Sequence, residues 1–412
     1  MQVLHVSDTH LGAIPSGLLF RARDIYEVFK ETIDIALKEH VNMYIHTGDF
    51  FNNPNPPPEA YIVAYRGLKN LKEKGIKIVV IAGQHDLPKR YAMSPLSILK
   101  DVGVIDYVAI DSIVNVDVDV EGNKIAFVCV PYNLRHKIPS ITILKERRTI
   151  LMAHLLLKEL GIPASEADIS LDLIPQGFKY IALGDYHVKT MLRHRDGAPA
   201  VYPGATEVHR VNEYDKKYVA MVDLSKSEAT INFVELQNVR PWIIIKCNEV
   251  TKCVNEVLEK SKAIVSSGKK KPLAYIVIER IKSEIIAKYL DDFISKTLIE
   301  HYILMHKERE EDYEVGAEGF IEKLEYIDVE KILKELLVDE KLSSYILSLI
   351  ENPSKQVSEE LIQYLKTNIE SLRDLELAIR ARFSQITSRT STSLTSSTAD
   401  SNQNKQFKGT LL

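Results

Sequence analysis

The chain has 412 residues, 45% of them hydrophobic and 27% charged, and a formal net charge of −4. This length suits two or three domains with a large buried core, and the composition is that of a soluble globular protein. The small negative balance excludes a global basic field, so any nucleic-acid contact has to come from a local basic patch or from metal ions.

In chain order, short β-branched apolar runs alternate with helical patterns as far as about residue 235. Val3–Val6 reads as a strand, and the spacing of Ile25, Val28, Phe29, Ile33, Ala36 and Leu37 predicts a helix over about 21–38. A strand follows at Met43–His46, a helix at Glu59–Lys74 and a third strand at Lys77–Ala82. Further strands are expected at Ile125–Val130, Thr149–Ala153 and Tyr180–Leu183, and a β-rich close at Val219–Asp223 and Thr230–Leu236. Alternating strands and helices followed by consecutive strands imply a layered α/β core. A second unit starts near Arg240, with strands at Trp242–Lys246 and Ala274–Glu279, a helix at Thr251–Ser261 and a long helical pattern from about Glu284 to His306. From about Asp328 the pattern is purely helical, broken at Asn352–Pro353, with an apolar stripe from Val357 to Phe383. The rest is rich in Ser and Thr and reads as disordered.

Cys129, Cys247 and Cys253 are the three cysteines. They lack CxxC spacing, and their odd count fits a reducing compartment better than a disulfide framework. The opening residues MQVLHVSDTH lack the basic leader of a signal peptide, and no run of about 18 apolar residues occurs. The expectation is a cytoplasmic protein with no membrane contact.

The polar residues at strand ends carry the chemistry. Asp8, Thr9 and His10 follow the first strand, Gly48 and Asp49 the second, and Gly83, Gln84, His85 and Asp86 the third. His154 ends the strand at 149–153, and Gly184, Asp185 and His187 end the one at 180–183. In α/β sheets ligands bind beyond the carboxyl ends of the strands, so five strand ends can converge there. Mixed carboxylate and imidazole donors suit a divalent ion such as manganese, iron or zinc. One carboxylate, such as Asp49, can bridge two ions about 3.5–4 Å apart. Each fragment alone has an ordinary reading: a GD after a strand is a common turn, and a lone His154 would be a satisfied core histidine. Five together are not explained that way.

The runs DTH, GDFF, AGQHD, MAH and GDYH resemble the calcineurin-like metallophosphoesterase signature. VSDTHLG (Val6–Gly12), HTGDFF and YPGATE (Tyr202–Glu207) are similar, more narrowly, to phrases of the Mre-eleven/SbcD double-strand-break repair nucleases. The resemblance covers about residues 1–235 in its motifs and 240–383 in layout alone. It implies an α/β fold: a layered metallophosphoesterase β-sandwich flanked by helices, a small α+β capping domain and a C-terminal helical module. The corresponding ranges are 1–238 for the nuclease domain, 239–327 for the capping and DNA-binding domain, 328–383 for an ATPase-docking helix–loop–helix and 384–412 for the disordered tail. It further implies that Asp8, His10, Asp49 and His187 hold one metal ion, and Asp49, Gln84, His154 and Asp185 the other. His85 would be the catalytic, non-ligand histidine, supported by Asp86. Two divalent ions (manganese above all), DNA ends, an SMC-like ATPase of the Rad-fifty type, a homodimer and a nucleoid-associated location complete the implication.

Three positions depart from the family pattern. Gln84 stands where the family has Asn, Asp185 where it has His, and Asn52 where many members place a DNA-facing histidine. The first two bear on the second ion, which would survive with shifted geometry and a bias toward harder ions, or be weakened. They leave an end-bridging scaffold with a decayed site as an alternative, beside a phosphoesterase acting on other substrates. Asn52 and Arg90 are candidate substrate contacts, and Arg21, Arg23, Lys89, Arg193, Arg195 and Arg210 a candidate basic lining. Lys269–Lys271 reads as a solvated loop or as a DNA-phosphate contact. The Glu59–Lys74 helix is apolar over more than one face, which means core or homodimer interface, and the Val357–Phe383 stripe means core or docking surface.

Overall fold

Apolar residues at alternate positions of the first strand face two different layers, and this alternation builds the molecule. In the computed structural model, β1 (Gln2–Val6) pairs in parallel with β2 (Met43–His46), and β2 in turn with β3 (Lys77–Ile81). The structure describes residues 1–88, 92–120, 122–143, 149–279 and 281–306, with scattered positions from 341 to 364. Strand β4 (Tyr107–Ala109) extends this sheet in parallel beyond β3, while β11 (Tyr218–Asp223) and β12 (Thr230–Glu235) add antiparallel strands beside β1. A second six-stranded sheet has the order β5 (Val114–Val120), β6 (Asn123–Val130), β7 (Thr149–His154), β8 (Tyr180–Gly184), β10 (Pro199–Tyr202), β9 (Thr190–Arg193).

The two sheets pack face to face. Val3, Met43, Ile45, Val79 and Ile81 from the first meet Phe127, Ile150, Met152, Tyr180 and Ala182 from the second in one buried core. The intervening residues Leu4, Val6, Tyr44, Ile78 and Val80 point the other way, into a core shared with α1 (Phe20–Lys38), α2 (Pro58–Glu73) and α3 (Pro95–Asp101). A period of two with both faces buried is what parallel strands covered on each side require. The expected metallophosphoesterase sandwich is therefore the fold, and the carboxyl ends of β1, β2, β3, β7 and β8 deliver their loops to a common edge.

Residues 242–306 form a separate three-stranded parallel sheet, β13 (Trp242–Cys247), β14 (Leu273–Ile278) and β15 (His301–His306), with α4 (Val250–Ser266) and α5 (Ser283–Ser295) packed on it. The single long helix expected from Glu284 to His306 is a helix followed by a strand. Leu298 N–H closes the end of α5 on Phe293 O at 2.9 Å, Thr297 takes a left-handed backbone (φ 58°), and the run HYILMH pairs with β14. Apolar residues at 298, 299, 303 and 304 satisfy a helical spacing as well as a strand, so periodicity alone could not separate the two. The expectation of unpaired cysteines is also corrected: Cys247 and Cys253 form a disulfide between the end of β13 and the first turn of α4, and Cys129 is the free, buried one. Strands β4, β5, β9 and β10 were not anticipated, although VNVDVDV in β5 alternates strictly.

The chain divides into two compact units, Met1–Arg309 and Glu310–Leu412. Within the second, the rings of Tyr345 and Tyr364 lie 5.6 Å apart. Most of the expected docking module and all of the expected tail lie outside the described residues. Among the described residues no helix is long and apolar enough to cross a membrane.

A buried ionic cluster joins the sandwich to the 242–306 layer. Arg21, expected to line the site, is 0% exposed. It donates to Asp24 Oδ2 (2.7 Å), Glu207 Oε1 (3.2 Å) and Val208 O (2.7 Å). Arg240 donates through its side chain to Asp24 Oδ1 (2.8 Å) and Lys271 O (2.7 Å), and through its backbone N–H to Glu207 Oε2 (3.0 Å). Lys270 pairs with Asp24 (3.0 Å) and Glu27 (2.6 Å), so it is neither free in solvent nor free for DNA. Burial alone would push the Asp24 carboxyl up, but Arg240, Lys270 and Arg21 bring it below its ordinary value.

Removing one partner from such a cluster leaves uncompensated buried charge. Arg21→Ala is expected to lower stability by about 3–5 kcal/mol, read from urea unfolding of the whole chain. A loss below about 1 kcal/mol, the range of surface pairs, would show that the cluster does not hold the layers together.

Candidate metal centre

Each site loop starts where a buried strand runs out, and four of its acidic and imidazole residues take a backbone that side chains rarely adopt. Asp8, His10, Asp49 and Asp185 all have positive φ, at 51°, 44°, 50° and 91°. Such residues cost about 1–3 kcal/mol each and persist only where the surroundings over-determine them. Here the loops hold one another. Asp8 N–H donates to Gly48 O (3.1 Å), His10 N–H to Asp49 O (3.0 Å) and Leu11 N–H to Phe50 O (2.9 Å). Asp185 N–H reaches the Asp8 carboxylate at 3.2 and 3.3 Å. Packing is close enough that a methyl group at Gly83 would stand 2.1 Å from Asp49 Oδ1, and one at Gly184 2.2 Å from Thr47 O.

The side chains converge as three overlapping groups. Donor atoms of Asp8, His10 and His187 lie within 4.8 Å of one another, as do those of Asp8, Asp49 and His154, and those of His10, Asp49 and His85. His10 Nε2 and His187 Nε2 face each other at 3.2 Å. Asp49 Oδ2 is 3.4 Å from His154 Nε2, 3.8 Å from His10 Nε2 and 3.9 Å from His85 Nε2. His154 Nδ1–H donates to Thr47 O (2.7 Å), which turns Nε2 toward Asp49 and, at 3.7 Å, Asp185 Oδ1. Gln84 Nε2 donates to Asp185 Oδ1 (3.0 Å). His154 Nε2, Gln84 Oε1 and His10 Nδ1 are buried without a hydrogen-bond partner. Buried polar atoms are almost always satisfied. Two such unpartnered atoms, His154 Nε2 and Gln84 Oε1, beside a carboxylate are a donor set that fits a hard or borderline divalent cation.

The Asp86 carboxylate is buried and accepts from the backbone N–H groups of Phe50 (3.0 Å), Phe51 (2.8 Å) and Gly83 (3.0 Å). It thus ties the GDFF loop to the AGQHD loop. The His85 ring, 43% exposed, is held instead by Nδ1–H donating to Asn52 O at 2.8 Å. That differs from the expected support of His85 by Asp86, because the carboxylate is already committed to three N–H donors. Arg90 and Lys89 lie outside the described residues; Arg23, Arg193, Arg195 and Arg210 are exposed.

Electrostatics follow from this crowding. Burial would push the Asp49 carboxyl up, but the imidazoles of His154, His10 and His85 hold it well below its usual range. Burial, partly offset by His154 and His187, pushes Asp8 up to about 6. Burial drives His10 well below its ordinary value. His154, against the effect of burial, is raised well above it by Asp49 and Asp185, and His187 is raised by Glu213.

Several residues here escaped the sequence reading. Glu213 accepts from His187 Nδ1 at 2.9 Å, the His209 ring lies 4.6 Å from that of His10, and the Tyr132 ring 6.0 Å from that of His154. None of the three ends a strand that carries a known motif, so no local signal marks them.

The chain resembles known proteins over most of its described length. The family model for calcineurin-like phosphoesterases matches residues 1–198. The chain is 33% identical over 313 residues to the DNA double-strand break repair protein Mre11 of Sulfurisphaera tokodaii, covering 71% of this chain and 77% of that one. It is 32% identical over 316 residues to the Mre11 of Sulfolobus acidocaldarius (73% and 81% covered) and 30% identical over 361 residues to that of Methanocaldococcus jannaschii (82% and 89%).

A cation taking His154 and His187 through Nε2 has to displace whatever proton those nitrogens carry. Both imidazoles have raised values in the metal-free protein. Their contribution to metal-free stability is therefore complete below about pH 6.5 and is lost as pH rises through the raised values. Metal affinity runs the opposite way and falls as pH falls. Calorimetric titration with manganese at pH 7 in two buffers of different ionisation enthalpy is expected to show net proton release; none would show that neither nitrogen is protonated.

Proposed function

The chain belongs to the Mre11 family of DNA double-strand break repair proteins, within the calcineurin-like phosphoesterases, and from that premise we propose that it is a two-metal DNA phosphodiesterase acting at DNA ends. The observation that carries this reading is the presence of Asp49 in two donor groups, one with His10 and His85 and one with Asp8 and His154, beside two buried atoms without a hydrogen-bond partner, His154 Nε2 and Gln84 Oε1. Asp8, His10, Asp49 and His187 would hold the first ion, and Asp49, Gln84, His154 and Asp185 the second. Bound there, the ions supply Lewis-acid polarisation of a phosphodiester and a water of lowered pKa. His85 is the exposed imidazole of the group. With Nδ1 committed to Asn52 O, its Nε2 is left to bind the scissile phosphate or to protonate the leaving oxygen.

Manganese is the ion this reading favours, because the second donor set combines two carboxylates, an amide oxygen and a single imidazole. Residues 239–327 would cap the site and contact DNA. Exposed Ile62 and Tyr65 on α2, opposite buried Ala60, Ala64 and Leu68, support a homodimer face. The Val357–Phe383 stripe supports docking of an SMC-like ATPase.

The decayed-scaffold alternative rests on Gln84, Asp185 and Asn52, yet the first two side chains bond to each other. The longer Gln places its amide N–H on Asp185 and keeps its oxygen free, which is a matched pair and not two independent losses. Asp185→His removes the acceptor of that bond and one negative charge. In metal titrations it is expected to weaken the second ion and move preference from manganese toward zinc; unchanged affinity and preference would sink the matched-pair reading.

Nuclease function is tested with end-labelled duplex and hairpin DNA in manganese, with and without the ATPase partner. His85→Ala is expected to slow cleavage by about 10²–10⁴-fold, the contribution usual for a positioned acid or base. No cleavage by the wild type under any condition, with DNA binding intact, would replace the nuclease by the scaffold.

A further inference from the structure

The YPGATE loop and the segment after it hold no residue of either donor group, yet they surround one of those residues, His187. Gly204 (φ +88°) lets the loop pass so close that a methyl group there would stand 2.7 Å from His187 O. Ala205 N–H and Lys217 Nζ both donate to that carbonyl, at 3.2 and 3.3 Å, and Thr206 N–H reaches Asp8 O at 3.4 Å. The backbone of His187 is thereby fixed from behind. Its ring is fixed from the side, because Nδ1 meets Glu213 Oε1 at 2.9 Å. The other oxygen, Glu213 Oε2, accepts from His209 N–H at 3.2 Å and lies 3.9 Å from Lys217 Nζ. The Glu213 and Lys217 side chains are only 11% and 4% exposed.

A carboxylate is acceptor-only, so an imidazole nitrogen bonded to it must carry the proton. In the neutral ring the lone pair of His187 then sits on Nε2, the atom that faces His10 Nε2 at 3.2 Å. A buried carboxylate is costly unless its charge is balanced and its oxygens are bonded. Here Lys217 balances the charge, and His187 and the His209 N–H bond the two oxygens.

We propose that Glu213, balanced by Lys217, is a positioning residue for the metal centre: it sets the tautomer and the orientation of His187, so that this imidazole presents Nε2 to the first cation. The inference rests on the metal-centre reading above. Partners of this kind commonly change metal affinity by about 10–100-fold when removed.

The test uses the full-length chain and manganese alone, with free ion followed by electron paramagnetic resonance and no reliance on turnover. Glu213→Ala is expected to weaken one of two manganese-binding events by about 10–100-fold and to leave the other unchanged. Glu213→Gln keeps the shape and a neutral acceptor, so it should lose less, and it carries the test if the alanine variant does not fold. In a His187→Ala background either Glu213 substitution should cost nothing further, because its effect passes through that ring. An equal loss in both backgrounds would mark Glu213 as merely structural and overturn the proposal, as would unchanged affinity in both single variants. A wild-type chain that binds no manganese would instead remove the metal-centre reading on which the proposal stands.

Discussion

The carboxylate of Asp49 is buried among His10, His85 and His154, and the surrounding structure is arranged to make that placement tolerable. An isolated carboxylate in a protein interior gives up its proton only where opposite charge and hydrogen bonds replace water. Here one oxygen accepts from His85 N–H at 2.9 Å, and the other looks at three imidazoles between 3.4 and 3.9 Å away. Such a group can be shared between two cations because neither of its oxygens is consumed by a strong ion pair with Lys or Arg. The cost appears in the backbone. Four of the converging residues sit in the left-handed region, held by hydrogen bonds from loop to loop and not by regular secondary structure.

That arrangement needs a rigid base. The sandwich supplies it by burying both faces of β1, β2 and β3, so that no strand can slip by one residue without exchanging its side chains between two different cores. His5 links the sheets beneath the site, with Nδ1 on the Tyr180 hydroxyl (2.8 Å) and Nε2 on Thr47 Oγ1 (2.9 Å). Burial pushes this imidazole down to about 3, so it is neutral and works as a bridge between hydroxyls without adding charge under the metal loops. Thr47 in turn carries the carbonyl that orients His154. The path from core packing to ligand orientation is therefore two side chains long.

The parts of this design that were legible in the sequence are those in which one element delivers one residue. An apolar strand followed by a polar run identifies the strand and the candidate donor after it, and the structure has a strand at each of the five expected positions. What the sequence did not show are the contacts between distant segments. Arg21 reads as one of several basic residues near the motifs, and only the fold reveals that Asp24, Glu207 and Val208 enclose it. Glu213 is 26 residues from His187 and lies on a stretch with no strand or helix period. Strand β15 was misread for another reason: its apolar spacing suits two structures, and only the neighbouring β14, with its row of unpaired backbone groups, decides between them.

The side chains of Gln84 and Asp185 act on each other at the edge of the buried carboxylates. Asp185 brings a third carboxylate to a buried site already holding Asp8 and Asp49, and like charges at such range oppose ionisation. Burial accordingly leaves the Asp185 carboxyl above its ordinary value, although His154 pulls it down. The amide of Gln84 answers part of this repulsion by donating to Asp185, and its extra methylene is what separates the amide from the backbone far enough to reach. A shorter side chain at 84 would leave that carboxylate with one fewer donor. The remaining repulsion is of the kind that a divalent cation relieves, since it lowers the potential at all three carboxylates at once. The two side chains therefore make sense together, in a site whose negative charge a divalent cation would balance.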